Sequence, residues 1–299
     1  MSQTISPEAG KPYGVQRVCR IWEQARSSYY HASCKCRLDH QPPQRRRGPR
    51  PLISDEALLE LIRVDLASSP FTGEGHRKVW ARLRIRDGVR VSRTRVLRLM
   101  RENHLLSPYR NCPKTAKNHD GKIITLAPNL MWGTDGTRVF TLDDGWVWIF
   151  TAVEHWNAEC VGWHVCKRGD RYAALQPISM ALNGLYGSVQ ADVARGLALR
   201  MDHGTQYLSD HFLNQLKFWG ITPSFAFVSE PQTNGVAERF NRTFKEQAIY
   251  GRVFRTVEDV RQAVENFVAL YNREWRIEKN AFRSPWQVRQ HWLENRRAA

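Results

Sequence analysis

The chain has 299 residues, with 45 Lys and Arg against 29 Asp and Glu, a formal net charge of +16. That length allows two or three domains, and 42% hydrophobic residues with eleven tryptophans exclude a disordered chain. Six cysteines without regular spacing argue against a disulfide framework. The first ten residues are polar, and no apolar run approaches the roughly 20 residues of a membrane span; a cytoplasmic protein is expected, with no membrane partner. The charge is lopsided. Residues 1–128 hold 25 Lys/Arg and 11 Asp/Glu, a net +14, and residues 129–299 hold 20 and 18, a net +2. A basic front half on a nearly neutral back half fits a nucleic-acid-binding arm joined to a catalytic domain.

Residues 1–40 are expected to form a small helix-turn-helix-like module. After a loose tail over 1–13, Val15, Val18, Cys19 and Trp22 fall at helical spacing. Ser27 is the candidate N-cap of a second helix. His31, Cys34, Cys36 and His40 are metal-ligand types, but Cys-x-Cys is tighter than a finger's spacing, and zinc is not expected. Residues 41–53 read as a basic, proline-rich linker.

A helix-turn-helix domain is expected over 54–105. Ser54 can cap a helix with Asp55 and Glu56 in its first turn and Leu58, Leu61, Ile62 and Leu66 as its buried stripe. His76 to Arg86 reads as a second helix, and Ser92 as the cap of a third. On that third helix Val96, Leu97, Leu99 and Met100 form one face, and Arg95, Arg98 and Arg101 recur on the other. An arginine-lined helix after a tight turn is how such a module meets a DNA groove and its phosphates. Residues 106–128 form a second linker.

The expected catalytic core covers 129–255. Leu130 to Phe140, Trp146 to Val153 and Cys160 to Cys166 read as three strands joined by short loops. A helix over Tyr172 to Leu185, a short strand over Ala198 to Met201, a helix over Gln206 to Trp219 and a strand over Thr222 to Val228 follow. The order is β-β-β-α-β-α-β-α. A C-terminal helical segment over 256–299 opens with an amphipathic helix from Val257 to Tyr271.

Three carboxylates stand out in the core: Asp135 and Asp202, beside strand-like runs, and Glu238, inside a helix pattern. Carboxylates gathered from separate elements repel one another unless a cation sits between them. Hard oxygen ligands of this kind suit Mg²⁺ or Mn²⁺, and a pair of such ions suits phosphoryl transfer. On the last helix Asn234, Glu238, Asn241, Arg242 and Lys245 share one face, and Val236, Phe240 and Phe244 lie on the other. Glu238 therefore points away from the core.

Asp202 and Glu238 are separated by 35 residues. With Asp-His-Gly-Thr-Gln-Tyr after Asp202, and Asn-Gly-Val-Ala-Glu-Arg-Phe-Asn followed by Lys245, this resembles the signature of DDE transposases and retroviral integrases. From about Gly14 to Trp292 the chain resembles the OrfB transposases of the IS-three group of bacterial insertion sequences. The helices over 54–105 resemble the module ahead of their core; Tyr271-Asn272 and Ser284-Pro285-Trp286 resemble their C-terminal elements, while the Arg-Glu-Trp-Arg-Ile-Glu-Lys between departs from the commoner Arg-x-His.

The resemblance implies a ribonuclease-H-like α/β core, a mixed sheet with flanking helices, behind small all-α modules. It implies a polynucleotidyl transferase that cuts at the element ends and joins the freed 3′-hydroxyl to a second phosphodiester. Asp135, Asp202 and Glu238 would be the catalytic residues and the ligands of two Mg²⁺ (or Mn²⁺) ions. Arg242 and Lys245 would hold phosphate, beside Arg95, Arg98 and Arg101 of the front module. The partners implied are double-stranded DNA, further copies of the chain on DNA, and an upstream OrfA, in a bacterial, nucleoid-associated setting. The alternatives are a non-catalytic DNA-binding regulator derived from a transposase, and a plain nuclease of the same fold.

Overall fold

The computed structural model describes residues 2–38 (side chains to 32), 52–107, 123–225 and 235–298. The linker expected over 41–53 lies almost wholly outside the described residues, as do most of that over 106–128 and the loop 226–234. The chain forms two units, residues 1–54 and residues 55–299.

In the first unit the expected tail closes on itself through a bridge between Ile5 and Pro12. Helix α1 (Val15–Ile21) buries Cys19, as the helical spacing predicts. Helix α2 (Arg26–Leu38) begins one residue before Ser27, so Ser27 is not its cap. The Ala25 carbonyl is the first acceptor instead, taking the N–H groups of Ser28 at 3.0 Å and Tyr29 at 3.3 Å. Cys34 and Cys36 lie on α2 with their side chains, like His40, outside the described residues.

The second unit opens with three helices, α3 (Asp55–Ser68), α4 (His76–Ile85) and α5 (Arg93–Glu102). Leu58, Ile62, Val79, Leu83, Val96 and Met100 are fully buried among them. The Ser92 hydroxyl accepts the Arg95 N–H, so the cap read from the sequence is the cap that forms. One buried carboxylate, Asp65, accepts from the Nε and Nη2 of the Arg82 guanidinium, and takes a further bond from Arg86 at 3.1 Å. Arg82 also pairs with buried Glu74.

Five strands follow: β1 (Met131–Thr141), β2 (Gly145–Glu154), β3 (Cys160–Cys166), β4 (Ala198–Met201) and β5 (Thr222–Phe225). The sheet order is β3-β2-β1-β4-β5. The first three are antiparallel neighbours, and β4 and β5 run parallel to β1. On one face, Trp132, Phe150, Leu199 and Met201 pack beneath α6 (Arg171–Tyr186) and α7 (Asp210–Phe218). Helix α6 approaches β3 so closely that a Cβ on Gly162 would overlap the Pro177 carbonyl. The start of α7 is later than the sequence pattern suggests. Ser209 caps it through the Phe212 N–H, and the preceding turn serves to bury Tyr207 completely.

The opposite face carries Val139, Val147 and Ile149. It is covered by α8 (Gly235–Phe244), which runs into a π-helical turn over Lys245–Ile249, and by α9 (Val257–Glu274). Phe240 and Phe244 of α8 meet Phe267 of α9 edge-on or tilted, at 5.7 and 5.3 Å. At the end of α9 the Asn272 amide behaves as an extra strand residue beside β3. It accepts the Cys160 N–H at 2.9 Å and donates to the Cys160 carbonyl at 2.8 Å.

A last helix, α10 (Pro285–Ala298), is opened by reciprocal bonds between Ser284 and Gln287. The segment between α9 and α10 is where the front helices dock. Phe71 and the Lys78 ammonium meet the Trp275 ring, Trp80 meets Phe282, and Arg77 and Arg93 pair with Glu278.

Candidate active site

Asp135 lies mid-way along β1, opposite Thr151 of β2. The parallel register of β1 with β4 matches Gly133 to Arg200. Two further residues along both strands bring Asp135 level with Asp202, the first residue past β4. Adjacent strands are about 4.8 Å apart, so the two carboxylates emerge side by side. Their odd-even positions put both on the sheet face covered by α8.

The two are held differently. Asp135 is half-buried, and its two oxygens accept from the Gly136 N–H and from the Asn241 amide, both at 2.8 Å. Asn241 is buried and has its own orientation fixed, because its carbonyl oxygen accepts the Thr151 hydroxyl at 3.2 Å. Thr151, Asn241 and Asp135 thus form one directed chain of hydrogen bonds. Burial pushes the Asp135 carboxyl above its ordinary range; the neighbouring charge of Asp202 adds to this, and the bond from Asn241, the Gly136 N–H and the charge of Lys245 oppose it. Asp202 is exposed and accepts the Gly204 N–H at 2.9 Å. A Cβ at Gly204 would lie 3.0 Å from that carboxylate and 2.6 Å from the Gln206 amide, so a larger residue there would push both side chains aside.

Glu238 sits exposed on the first turn of α8, with Phe240 and Asn241 buried just beyond it. The helical-face reading of 234–245 holds for Glu238, outward, and for Phe240 and Phe244, inward; Asn241, read on the outward face, is instead buried against the sheet, where it bonds Asp135 and Thr151. The structure brings Asp135 and Asp202 together but does not gather Glu238 with them. Among the described residues no group of three or more His, Cys, Asp or Glu side chains lies close enough to hold a metal ion. Phe240, Phe244 and Asn241 anchor α8 downstream of Glu238, and the loop that precedes the helix lies outside the described residues.

The cationic residues also divide. Lys245, half-buried at the start of the π-helical turn, contributes positive charge at Asp135. Arg242 pairs with Glu246 at 2.9 Å, one turn along the helix. In the front module Arg95 and Arg98 both reach back to Asp55 of α3, at 2.7 and 2.6 Å, and Arg98 pairs with Glu102 as well. Arg101 is exposed on the same helix. The periodic arginine face of the sequence is therefore partly occupied by an interhelical clamp. Asp55, read as a favourable first-turn acid, is the centre of that clamp.

The sequence reading put Asn241 on the polar face of the helix without giving it a task. The usable signal was its place three residues after Glu238, one turn closer to the sheet. Thr151 gave no signal, since only the strand register sets it opposite Asp135. The donors that are present suit a divalent cation. Two adjacent carboxylates supply hard oxygen, one is raised in pKa by burial and by its neighbour, and the groups bonded to both are neutral N–H donors.

Similar proteins fit this arrangement. An integrase core domain family matches residues 126–231, and a second integrase core domain family matches 219–276. An HTH-like domain family matches residues 54–112. The transposase of insertion sequence element IS629 from Shigella sonnei is 26% identical over 277 residues, covering 89% of this chain and 88% of that protein. Transposase InsF of insertion sequence IS3A from Escherichia coli K12 is 27% identical over 149 residues, covering 50% of this chain and 49% of its own. Among solved structures, the integrase catalytic core domain of HTLV-2, in complex with magnesium, aligns with a TM-score of 0.42 at 17% identity, over 55% of this chain and 97% of that one. No helix among the described residues is long and apolar enough to cross a membrane. With an HTH-like domain ahead of an integrase core, the chain is similar along both to insertion-sequence transposases.

Proposed function

We propose that this chain performs DNA cleavage at the ends of an insertion sequence and strand transfer of the freed ends, with Asp135, Asp202 and Glu238 as its catalytic carboxylates. One observation carries the reading. Two carboxylates stand level on adjacent parallel strands, Asp135 within β1 and Asp202 just past β4, and one is held in a fixed orientation by the Thr151–Asn241 chain. Asp135 and Asp202 would hold Mg²⁺ or Mn²⁺, and Glu238, from the helix above, would add the third carboxylate. Such ions supply charge stabilisation to the attacking and leaving oxygens of the phosphodiester.

The protein's own residues do the positioning. Gly136 and Asn241 leave the Asp135 carboxylate little rotational freedom, and Gly204 does the same for Asp202. Lys245 offers a cation beside that pair for a backbone phosphate. In strand transfer a 3′-hydroxyl oxygen attacks phosphorus and the former 3′-oxygen of the target strand leaves, taking up the proton. One phosphodiester is made for each one broken. The helical modules over 1–40 and 54–105 would bind element-end DNA, Arg101 facing solvent, with Arg95 and Arg98 available once released from Asp55. Two ends must be joined in one event, and each core holds one set of carboxylates, so assembly of further copies on DNA follows. An upstream OrfA partner is part of the same proposal, as is a cytoplasmic, nucleoid-associated location.

The test is a strand-transfer assay with a pre-cut 3′-hydroxyl end. Wild type should join it to target DNA in Mg²⁺ or Mn²⁺, and Asp135→Asn should not, with end binding unchanged. Joining by Asp135→Asn at the wild-type rate would overturn the reading. Cleavage of any duplex without joining would instead favour a plain nuclease.

A further inference from the structure

The hairpin of β1 and β2 runs past the carboxylates and carries an exposed aromatic ladder on the sheet face opposite Asp135. Across the two strands Phe140 is paired with Trp146, and Arg138 with Trp148. Phe140 and Trp146 meet edge to face at 5.5 Å, yet they remain 54% and 57% exposed. The Arg138 guanidinium lies over both tryptophans, 5.3 Å from the Trp146 ring centre and 5.2 Å from that of Trp148. Trp148 in turn stacks on Phe150 at 5.6 Å, with the planes 5° apart. Gly169 fixes the far side, since a Cβ there would overlap the Trp148 ring. That contact brings exposed Arg168, the residue before Gly169, to the rim of the ladder, while Lys167 is paired with Asp144 at 2.6 Å.

The exposed rings of Phe140 and Trp146, with a cation held against them on the base that Trp148 forms and another at the rim, match one chemistry. Bases stack on the rings, and the basic groups follow the phosphates. A paired base inside a duplex has both faces covered by its neighbours, so only an unpaired base can use such a ladder. We propose that Arg138, Phe140, Trp146 and Trp148 form a binding surface for unpaired nucleotides of the DNA end, on the strand that also carries Asp135. Phe140 is five residues beyond Asp135, which at ~3.4 Å per residue is about 17 Å along the strand. The source of those nucleotides rests on the transposase reading; the binding itself does not.

The test uses the full chain in EDTA, so that no DNA is cut, and two fluorescent probes, a mixed-sequence single strand and the blunt duplex of the same sequence. Trp146→Ala and Phe140→Ala should each weaken single-strand binding about tenfold and leave duplex binding within about twofold, while Trp146→Phe should retain wild-type binding. Equal losses on both probes, or no loss on the single strand, would overturn the proposal. So would a fall in the number of associated copies, at unchanged DNA affinity, which would mark the ladder as a contact between copies. A readout without variants runs in parallel. Iododeoxyuridine in the single strand should crosslink wild type within residues 138–148 under irradiation, and crosslinks found only elsewhere would end the idea. Neither readout needs catalysis, so an active Asp135→Asn variant would overturn the function and leave this surface standing.

Discussion

Two groups of withdrawn carboxylates make the most instructive comparison in this molecule. In the front helices Asp65 is buried, and every bond it receives from a side chain comes from Arg82 or Arg86. In the sheet Asp135 is half-buried, and it receives only neutral donors, the Gly136 N–H and the Asn241 amide, with a second carboxylate as its neighbour. The first group is neutralised within the protein and asks nothing from outside. The second is left largely unanswered, with only the nearby charge of Lys245 offsetting it among the described residues, an arrangement that suits the binding of a cation. The two groups differ in the pairing of each acid: arginines close on Asp65, while Asp135 stands beside a second carboxylate.

The largest effects should come from the unanswered group. Asp135→Asn, Asp202→Asn and Glu238→Gln should each reduce cleavage and strand transfer to background while end binding, measured by filter retention, stays. Retained activity in Glu238→Gln alone would show that the pair on the sheet suffices. Asp143 serves as a control, since it is exposed and pairs with Arg255 at 3.3 Å. Asp144 is a poorer one, because it accepts the Val257 N–H at 2.7 Å and so helps begin α9.

Next in size is the neutralised group. Asp65→Asn leaves Arg82 and Arg86 facing a neutral amide, and breaking a buried pair of this kind costs about 3–5 kcal/mol. Urea unfolding should show that loss, with strand transfer per folded molecule unchanged. An unaltered midpoint would mean the cluster is solvated and the contrast with Asp135 is weaker than drawn.

pH sharpens the comparison through signs. The folded Asp135 carboxyl keeps its proton to a higher pH than the ordinary value of 3.8. The native chain thus carries the extra proton above 3.8, and stability of the metal-free protein falls as pH rises to the folded value. Asp135→Asn should remove that fall, so the variant should be the more stable apo protein near neutral pH. His155 has the opposite sign. Burial holds its pKa down to about 4, and neither ring nitrogen meets a hydrogen-bond partner among the described residues. The unfolded chain binds that proton first as pH drops below 6.5, so stability is lost from there toward 4, by about 3 kcal/mol at most. His155→Leu should flatten that acid limb in thermal melts, and an unchanged limb would assign it to other groups.

The smallest effect concerns Asn241. Asn241→Ala frees one Asp135 oxygen and should raise the Mg²⁺ concentration for half-maximal strand transfer about tenfold, the lower end of losses for groups that orient a metal ligand. Calorimetric titration of metal into the DNA-free protein should show the same ratio.

What could be read from the sequence was local. Ser92 declares itself as a cap by type and position, and the strand over Cys160–Cys166 forms with the bounds its pattern gives. Asp135 and Asp202 were legible because each follows an apolar run that must be a buried strand. Local evidence failed where a distant partner decides. Ser27 yields to the Ala25 carbonyl, and Arg95 and Arg98 turn from solvent to Asp55, some 40 positions earlier in the chain. The tie from Asn241 to Asp135 spans 106 positions. The strand register creates it, and no periodicity in the helix announces it.

Asn272 has a consequence for solubility. Strand β3 is an outer strand of the sheet, and an open strand edge invites the same edge of another molecule to pair with it. The Asn272 amide occupies the donor and acceptor of Cys160, so a neighbouring chain finds that rung already taken. A product of premature termination before residue 272 would lose this plug, and one that stops before α8 would uncover the Val147 and Ile149 face as well. Such fragments should precipitate rather than stay in solution.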